Sequence, residues 1–557
     1  MRRSKTGKRQ AVEAVEVMEV NEEDIGDDEW AFDDVDGKPI DAKLVREVRR
    51  EEMEFMKKIP VFEEVDLEVC WEKTKKAPIS TKWEDHDKGR DGVPDVRSRW
   101  VARDFKEKGD KDREDLFASM PPLEAKKALF KMAARRMKKK RFGQERQMKM
   151  LFIDVRKAHL NGVCEEDIFV ELPEEAGSPG KCGKLLRWLY GMRGAAQGWE
   201  KNYTEKLESV GLKAGESTTA VFYSEKDETR LVVHGDDFTF LGYPDKLKEV
   251  EEKMKEWYEI KVRGVLGDDP SDMKKITILN RSIEWTGEKL VYTADDKHAK
   301  IIVEEMGLKE GSKGLAWPCV KEEVAGEEGE EELSQEESRH FRRVAARANY
   351  LGMDRMDIQF AVKEVCTEMS RPTLVGQRKL KRLARYLVSH PRVEIEFDGE
   401  GDEGIIDAFS DSDWAGCRVS RKSTSGGLVA WGGNVMKSWS RTQASISLSV
   451  GEAEYYALIS AAAEAIGFKA LLKDFGVEAR IKVWTDSAAA KSISSRKGIG
   501  KIRHLEVKYL WMQEKTRRKE IQMKKVAGSE NPADILTKPK DEKDIRRLAE
   551  KLKVKVT

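Results

Sequence analysis

The order of elements in the last third of the chain constrains its fold most. Beyond Gly401, the runs IIDAFSDSD, GGLVAWGG and NVMKSWS alternate or are apolar and are bounded by glycines and polar turns, which predicts three strands. GEAEYYALISAAAEAIGFKALLKDFG follows; it is rich in Ala and Leu, lacks proline and ends in glycine, which predicts a long helix. RIKVWTDS reads as another strand, SAAAKSISSR and HLEVKYLWMQEKTRRK as helices, IQMKKVAG as a strand, and the sequence from about Asn531 as a last helix. Three strands, a helix and then alternating strands and helices predict a mixed sheet flanked by helices.

At 557 residues the chain exceeds what one hydrophobic core usually serves, so two to four domains are expected. Lys+Arg and Asp+Glu both total 104, so net charge alone does not point to nucleic acid; the distribution has to decide. Residues 1–44 are acidic and poor in apolar periodicity, the composition of a disordered tail, and 321–338 (KEEVAGEEGEEELSQEES) reads as a solvated acidic loop. Basic charge crowds KKALFKMAARRMKKKR and QRKLKRLARYL, which are expected to form surfaces able to carry a nucleic-acid duplex. In the second, Leu380, Leu383 and Tyr386 form an apolar stripe. The six cysteines form no CxxC pair, which fits a reducing compartment rather than a disulfide framework or zinc finger. With no apolar run of about 18 residues and no apolar signal core, the expectation is an intracellular protein, neither secreted nor in a membrane. The first ten residues, MRRSKTGKRQ, read as a solvated basic tail or a nuclear-import patch.

Chemistry is suggested first by MLFIDVRKAHLNG and, about 80 residues later, LVVHGDDFTFLG. In the second segment two apolar strands flank His234, Gly235, Asp236 and Asp237, which places the aspartates at a hairpin tip. In the first, Asp154 ends an apolar strand. If both strands share a sheet, the three carboxylates form a negative cluster that is costly without divalent cations. Such a cluster can hold two magnesium ions for in-line phosphoryl transfer. An ordinary Asp-Asp turn is the alternative for the pair taken alone.

RSRWVARDF, DVRKAHLNG, KLLRWLYGMRGAAQGW and HGDD, in that order, resemble the reverse transcriptase of copia-type LTR retrotransposons over roughly residues 45–300. The resemblance implies that Asp154, Asp236 and Asp237 are the metal-binding aspartates of a polymerase palm. Leu247, Val250, Met254 and Trp257, at helical spacing, are expected to cover one face of its sheet. Lys82, Arg97 and Arg99 become candidates to hold an incoming triphosphate, with a solvated basic strand as the alternative. Gln197 resembles a residue that packs on the nucleotide, and a surface glutamine reads the same way. The family usually has Tyr-x-Asp-Asp where His234 and Gly235 stand here, and an aromatic that excludes a ribose 2′-hydroxyl where His159 stands. His159 packed against the sheet is the other reading. Residues 296–400 resemble a thumb and connection, ANYLGMDRMDIQFAVKEV having Met356 where proline is usual.

A second set of carboxylates lies in the last third: Asp411 closing the first strand, Glu454 in the first turns of the long helix, Asp486 ending the fourth strand and Asp534 starting the last helix. Four carboxylates at strand ends and helix starts suit a two-metal nuclease. Asp413 and Glu452 lie two residues from Asp411 and Glu454; Asp411 is chosen because it directly follows the strand, and helix rotation points Glu452 away from Glu454. SDSDWAG, RKSTSGG, SLSVGEAEYYAL, RHLEVKYLW and NPADILTKP resemble the copia-type ribonuclease H over roughly 401–540. His504 resembles a histidine of that family placed near phosphate; a capping or surface role is the alternative.

The expected fold is therefore α+β and multidomain: a tail at 1–44, polymerase fingers and palm at 45–295, a thumb and connection at 296–400 and a ribonuclease H-like mixed α/β domain at 401–557. The resemblance implies an RNA-directed DNA polymerase with ribonuclease H activity, dependent on magnesium, two ions per site, or on manganese. Its partners would be an RNA template, a DNA primer, the RNA–DNA hybrid and deoxynucleoside triphosphates, in a cytoplasmic particle or the nucleus. A decayed or repurposed nucleic-acid-binding protein, or one in which only the ribonuclease H works, is the alternative.

Overall fold

The computed structural model describes residues 30–34, 37–89, 93–105, 117–138, 146–177, 179–309, 311–320, 331–417, 419–498, 500, 504 and 507–557. The chain forms two compact units, Met1–Leu116 with His159–Trp199, and Phe117–Ala158 with Glu200–Thr557.

In the first unit, Asp41 caps the helix Ala42–Lys58 by accepting from the Lys43 N–H at 2.8 Å. The helix buries Val45, Met53 and Met56 on one side. Thr81–Asp87 and Val96–Ala102 form an antiparallel hairpin, and Lys181–Leu185 pairs with both Phe62–Asp66 and Phe169–Val170. Trp100, Leu160, Leu185 and Leu189 are fully enclosed in its core. Described residues of the tail expected to be disordered to residue 44 are structured: Trp30–Phe32 pairs with Pro39–Asp41. Its acidic residues serve as acceptors, Asp33 from the Asp87 N–H and Asp34 from the Asp85 N–H, both at 2.7 Å. The basic decapeptide lies outside the described residues.

The second unit contains three sheets. The first is six-stranded, in the order Ile260–Leu266, Lys149–Val155, Asp237–Gly242, Arg230–His234, Val221–Tyr223, Lys213–Ala214, with every pairing antiparallel. The helix Pro244–Trp257 buries Leu247 and Met254, with Val250 and Trp257 half-buried. In the second sheet the order is Lys275–Ile278, Arg281–Trp285, Leu290–Thr293, Val393–Phe397, Val554–Val556, so the chain's last residues complete a sheet begun almost 300 residues earlier. Helices Lys297–Glu305, Gln335–Gly352, Gln359–Thr367 and Leu374–Ser389 share a separate core around Phe341, Val344, Leu380 and Leu383.

The third sheet has the order Asn434–Thr442, Thr424–Trp431, Ile405–Asp413, Arg480–Thr485, Ile521–Lys525, antiparallel across the first three strands and parallel across the last three. The long helix Val450–Asp474 packs on it; its alanines at 453, 457, 461, 462 and 465 are all buried, small side chains that permit close approach. Among the described residues this is the one helix long and apolar enough to cross a membrane, and much of its apolar surface is covered by the sheet.

Several expectations change. The acidic loop ends before Ser338, because Ser334 and Glu337 form a capping box that starts a helix at Gln335; residues 321–330 lie outside the described ones. The strand expected to close at Asp411 runs on to Asp413. The last helix does not begin near Asn531: Pro532–Leu536 is a 3₁₀ turn, and the α-helix is Glu542–Glu550. KKALFKMAARR, expected as a basic surface, lies in the helix Leu123–Arg136, where Lys126, Lys127 and Lys131 are 5%, 3% and 0% exposed. In QRKLKRLARYL several cations are held internally, Lys379 by Glu368 at 3.0 Å and Arg385 by the Lys313 carbonyl at 3.0 Å.

No break in packing falls at residue 400. One apolar core runs from Leu129, Phe152 and Val232 to Leu428, Trp431 and Leu458. Lys131 crosses it, its ammonium donating to the Gly432 carbonyl and to Asn434 Oδ1, each at 3.0 Å, and to the Glu400 carbonyl. Burial lowers its pKa to about 8. Lys131→Met leaves these buried acceptors unmatched and is expected to destabilise the second unit by about 2–4 kcal/mol. An unchanged urea midpoint would show that this lysine does not tie the two regions together.

Candidate functional site

The first candidate site lies at one end of the six-stranded sheet. His234 pairs with Asp237 across a two-residue turn of Gly235 and Asp236. Gly235 has φ +67°, and an added Cβ would meet nothing within 4 Å, so glycine is needed here for backbone conformation rather than space. Asp237 stands opposite Asp154 in the ladder, and the Val155 N–H donates to the Asp236 carbonyl at 2.9 Å. Register and turn therefore place all three aspartates together. Burial, then Asp236 and Asp237, raise the Asp154 pKa.

Two cations that the sequence did not flag join this group. Arg263, on the strand beside Asp154, places Nη1 3.2 Å from Asp237 Oδ1 and donates from Nη2 to the Thr277 carbonyl at 2.7 Å. Lys126 is buried with no hydrogen-bond partner for its ammonium; burial lowers its pKa to about 8, against the pull of Asp237. Burial and Lys126 also lower the His234 pKa.

The other candidates near the polymerase motifs belong to the first unit. Cross-strand register puts Lys82, Arg97 and Arg99 on one face of the Thr81–Asp87/Val96–Ala102 hairpin. Lys82 pairs with Glu84 at 2.8 Å and Arg97 with Asp95 at 3.0 Å, while the Arg99 guanidinium lies 5.5 Å over the Tyr190 ring. His159 meets the same ring edge-on at 6.0 Å. Tyr190 lies in KLLRWLYGMRGAAQGW, where the sequence assigns a role to Gln197 alone. Gln197 is half-buried in the first turn of the helix Ala195–Ser209.

The second candidate site is in the mixed sheet. The parallel pairing of Ser410 with Thr485 sets Asp411 beside Asp486, and the first turns of the long helix bring in Glu454. Each offers an oxygen within 4.8 Å of the others, the one such acidic group among the described residues. Asp411 is 2% exposed and Glu454 6%. Glu454 Oε1 accepts from the Ser412 N–H at 3.3 Å, whereas Oε2 is buried with no partner. Burial, with Asp411 and Asp486 adding repulsion, pushes the Glu454 pKa up to about 9; burial raises Asp411 and Asp486 also. A group of hard carboxylate oxygens, one of them orphaned, fits a divalent cation such as magnesium or manganese.

The neighbouring acids point elsewhere. Asp413 accepts from the Thr424 N–H. Glu452 receives the Leu448 N–H at 2.9 Å and the Tyr456 hydroxyl at 2.7 Å, and meets His504 Nε2 at 2.9 Å, so His504 holds a helix-start carboxylate. Asp534 reaches the site because its turn packs against Gly426, where a Cβ would lie 2.6 Å from Thr537 Cγ2. It stands outside the three-carboxylate group, paired to Lys538 and Lys540.

Carboxylates are thus gathered at two sheet positions of a mixed α/β chain. Residues 67–269 match the family described as reverse transcriptase (RNA-dependent DNA polymerase). The chain is 25% identical over 511 residues to the retrovirus-related Pol polyprotein from transposon TNT 1-94 of Nicotiana tabacum, covering 88% of this chain and 36% of that one. It is 22% identical over 411 residues to the Pol polyprotein from transposon RE1 of Arabidopsis thaliana, covering 72% and 27%. A solved foamy viral protease-reverse transcriptase in complex with double-stranded DNA aligns with TM-score 0.45 and 11% identity, covering 85% of this chain and 68% of that one. The match to the reverse transcriptase family thus lies in residues 67–269, the chain as a whole resembles copia-type Pol polyproteins, and it spans 36% and 27% of the length of these two curated relatives.

Linkage at Glu454 yields a test. Its folded pKa of about 9 exceeds its ordinary value of 4.5, so without divalent ions its protonation contributes stability that is fully present below pH 4.5 and lost as pH rises through 9. Magnesium binding at pH 7 must then expel about one proton from this cluster. Calorimetric titrations in buffers of different ionisation enthalpy should detect it, and Glu454→Gln should abolish it. No proton release from the unsubstituted chain would contradict the assignment.

Proposed function

We propose that the chain is an RNA-directed DNA polymerase joined to a ribonuclease H. The observation that carries the reading is the presence of two separate carboxylate groups, one inside the segment of the reverse transcriptase family and one in a mixed sheet behind it. In this reading the six-stranded sheet is the palm, the first unit supplies the fingers, the helices between Lys297 and Ser389 form the thumb, and the last sheet is the nuclease.

Asp154, Asp236 and Asp237 would hold magnesium in the palm, and Asp411, Glu454 and Asp486 in the nuclease, with Asp534 beside them. When bound, such ions supply Lewis-acid charge to the reacting phosphate. Arg263 fixes the Asp237 carboxylate. Arg99 over Tyr190, with Lys82 and Arg97 on the same face, suits the phosphates of an incoming deoxynucleoside triphosphate. His159 against Tyr190 presents a bulky ring suited to limiting space near the sugar, and Gln197 would pack on the nucleotide. Glu452 keeps His504 at the helix start. The polymer partners would be an RNA template, a DNA primer and their hybrid.

Asp236→Asn is expected to lower primer extension on an RNA template by at least about a hundredfold, the scale for losing one group that stabilises developing charge. It should leave cleavage of an RNA–DNA hybrid largely intact. Asp486→Asn should do the reverse. An unsubstituted chain with magnesium that neither extends a primer nor cleaves a hybrid would overturn the reading in favour of a binding protein.

A further inference from the structure

Among the described residues, the hairpin Thr81–Asp87/Val96–Ala102 is a sheet of two strands, and a two-stranded ribbon is marginal without outside support. Trp100 anchors its second strand in the core of the first unit. The first strand, which carries Lys82, is met along its outer edge by the N-terminal segment. The Asp85 N–H donates to Asp34 Oδ2 and the Asp87 N–H to Asp33 Oδ2, each at 2.7 Å, and the Asp34 N–H donates to the Asp85 carbonyl at 3.0 Å. Asp33 Oδ1 lies 3.4 Å from His86 Nδ1. These bonds stand in for a third strand, with two carboxylates accepting the N–H groups that a neighbouring strand's carbonyls would take. The contact is buried, Asp33 being 7% and Asp85 4% exposed. Arg49 completes it, holding the Asp85 carboxylate through Nε, at 3.3 Å, and Nη2.

We propose that Asp33 and Asp34 are positioning residues for nucleotide binding: they clamp the outer edge of this hairpin and so hold Lys82, Arg97 and Arg99 where a triphosphate meets them. The inference rests on the reading of those three cations as phosphate-binding. Hydrogen bonds from N–H to an ionised carboxylate are charge-assisted and roughly twice as strong as neutral ones, so two of them are enough to seat a short edge strand. Placement is what they contribute, since a displacement of about 1 Å in a positioning group can cost up to about a hundredfold in rate. Although both residues are acidic, the oxygens that seat the strand face its backbone N–H groups. The acidic sequence before the first helix thus acts by accepting from the hairpin edge.

Kinetics and hydrogen exchange on the full chain test this together. Asp33→Ala with Asp34→Ala should raise the KM for deoxynucleoside triphosphate in primer extension by about tenfold and leave kcat within about twofold. Asp33→Asn with Asp34→Asn keeps an oxygen able to accept each N–H and should restore most of the parent KM. Exchange at the Asp85 and Asp87 amides should quicken in the alanine pair and stay near the parent rate in the asparagine pair, with hybrid cleavage unchanged in both. An unchanged or lower KM in the alanine pair, or an asparagine pair impaired as much as the alanine pair, would overturn the inference. Arg99→Ala separates this from the reading beneath it. If Arg99→Ala raises KM and the alanine pair does not, the clamp alone fails; if Arg99→Ala leaves KM unchanged, the triphosphate reading of the hairpin fails and the inference falls with it.

Discussion

Repulsion between carboxylates held close together, half-buried or exposed at the hairpin and largely buried in the mixed sheet, is the constraint on which both sites depend. A pair of ionised carboxylates a few ångströms apart in a partly buried setting is unfavourable by several kcal/mol unless a cation or a proton intervenes. The protein meets this cost differently in its two groups. At the hairpin, Asp154 faces Asp237 across a ladder, and Arg263 binds the Asp237 side. In the mixed sheet, Lys538 and Lys540 neutralise Asp534, while the remaining trio drives up the pKa of Glu454. Packing elsewhere in the sheets holds these acids in place.

That strength comes from a core shared along the second unit. The helix Leu123–Arg136 lies at its centre, with Leu129 and Phe130 in the apolar cluster and Lys127 and Lys131 reaching buried acceptors. Lys127 approaches Asp354 at 3.6 Å, and Asp354 in turn accepts from Arg281 and Tyr292 at 2.8 and 2.7 Å. Buried charges of this kind are poor sources of net stability, but removing one partner is costly, so they fix how segments meet. Closing the second sheet with Val554–Val556 adds a further tie between the chain's end and the strand Val393–Phe397.

Local signals made the strands and the aspartate turn legible. The LVVHGDDFTFLG hairpin has apolar runs on either side of a glycine turn, and its register follows from the turn. Glu454 rather than Glu452 follows instead from the resemblance to the family's helix glutamate, and the two side chains take different partners. What depends on distant residues was not legible. Lys126, Lys127 and Lys131 read as a basic surface because lysines usually stay in water, and the acceptors of Lys131 lie about 300 residues away. Val554–Val556 is too short to announce a strand. The start of the helix at Gln335 was signalled by Ser334 and Glu337, a capping-box spacing hidden within an acidic run.

The central claim is that both carboxylate groups hold divalent cations in one folded chain. Iron(II) substituted for magnesium, with ascorbate and peroxide, generates hydroxyl radicals that cut the backbone beside a bound ion, so the fragments report where ions sit. The account predicts cuts near Asp154 and Asp236 and, separately, near Asp411 and Asp486, all suppressed by excess magnesium. Cuts at neither group, or cuts that magnesium does not suppress, would contradict it.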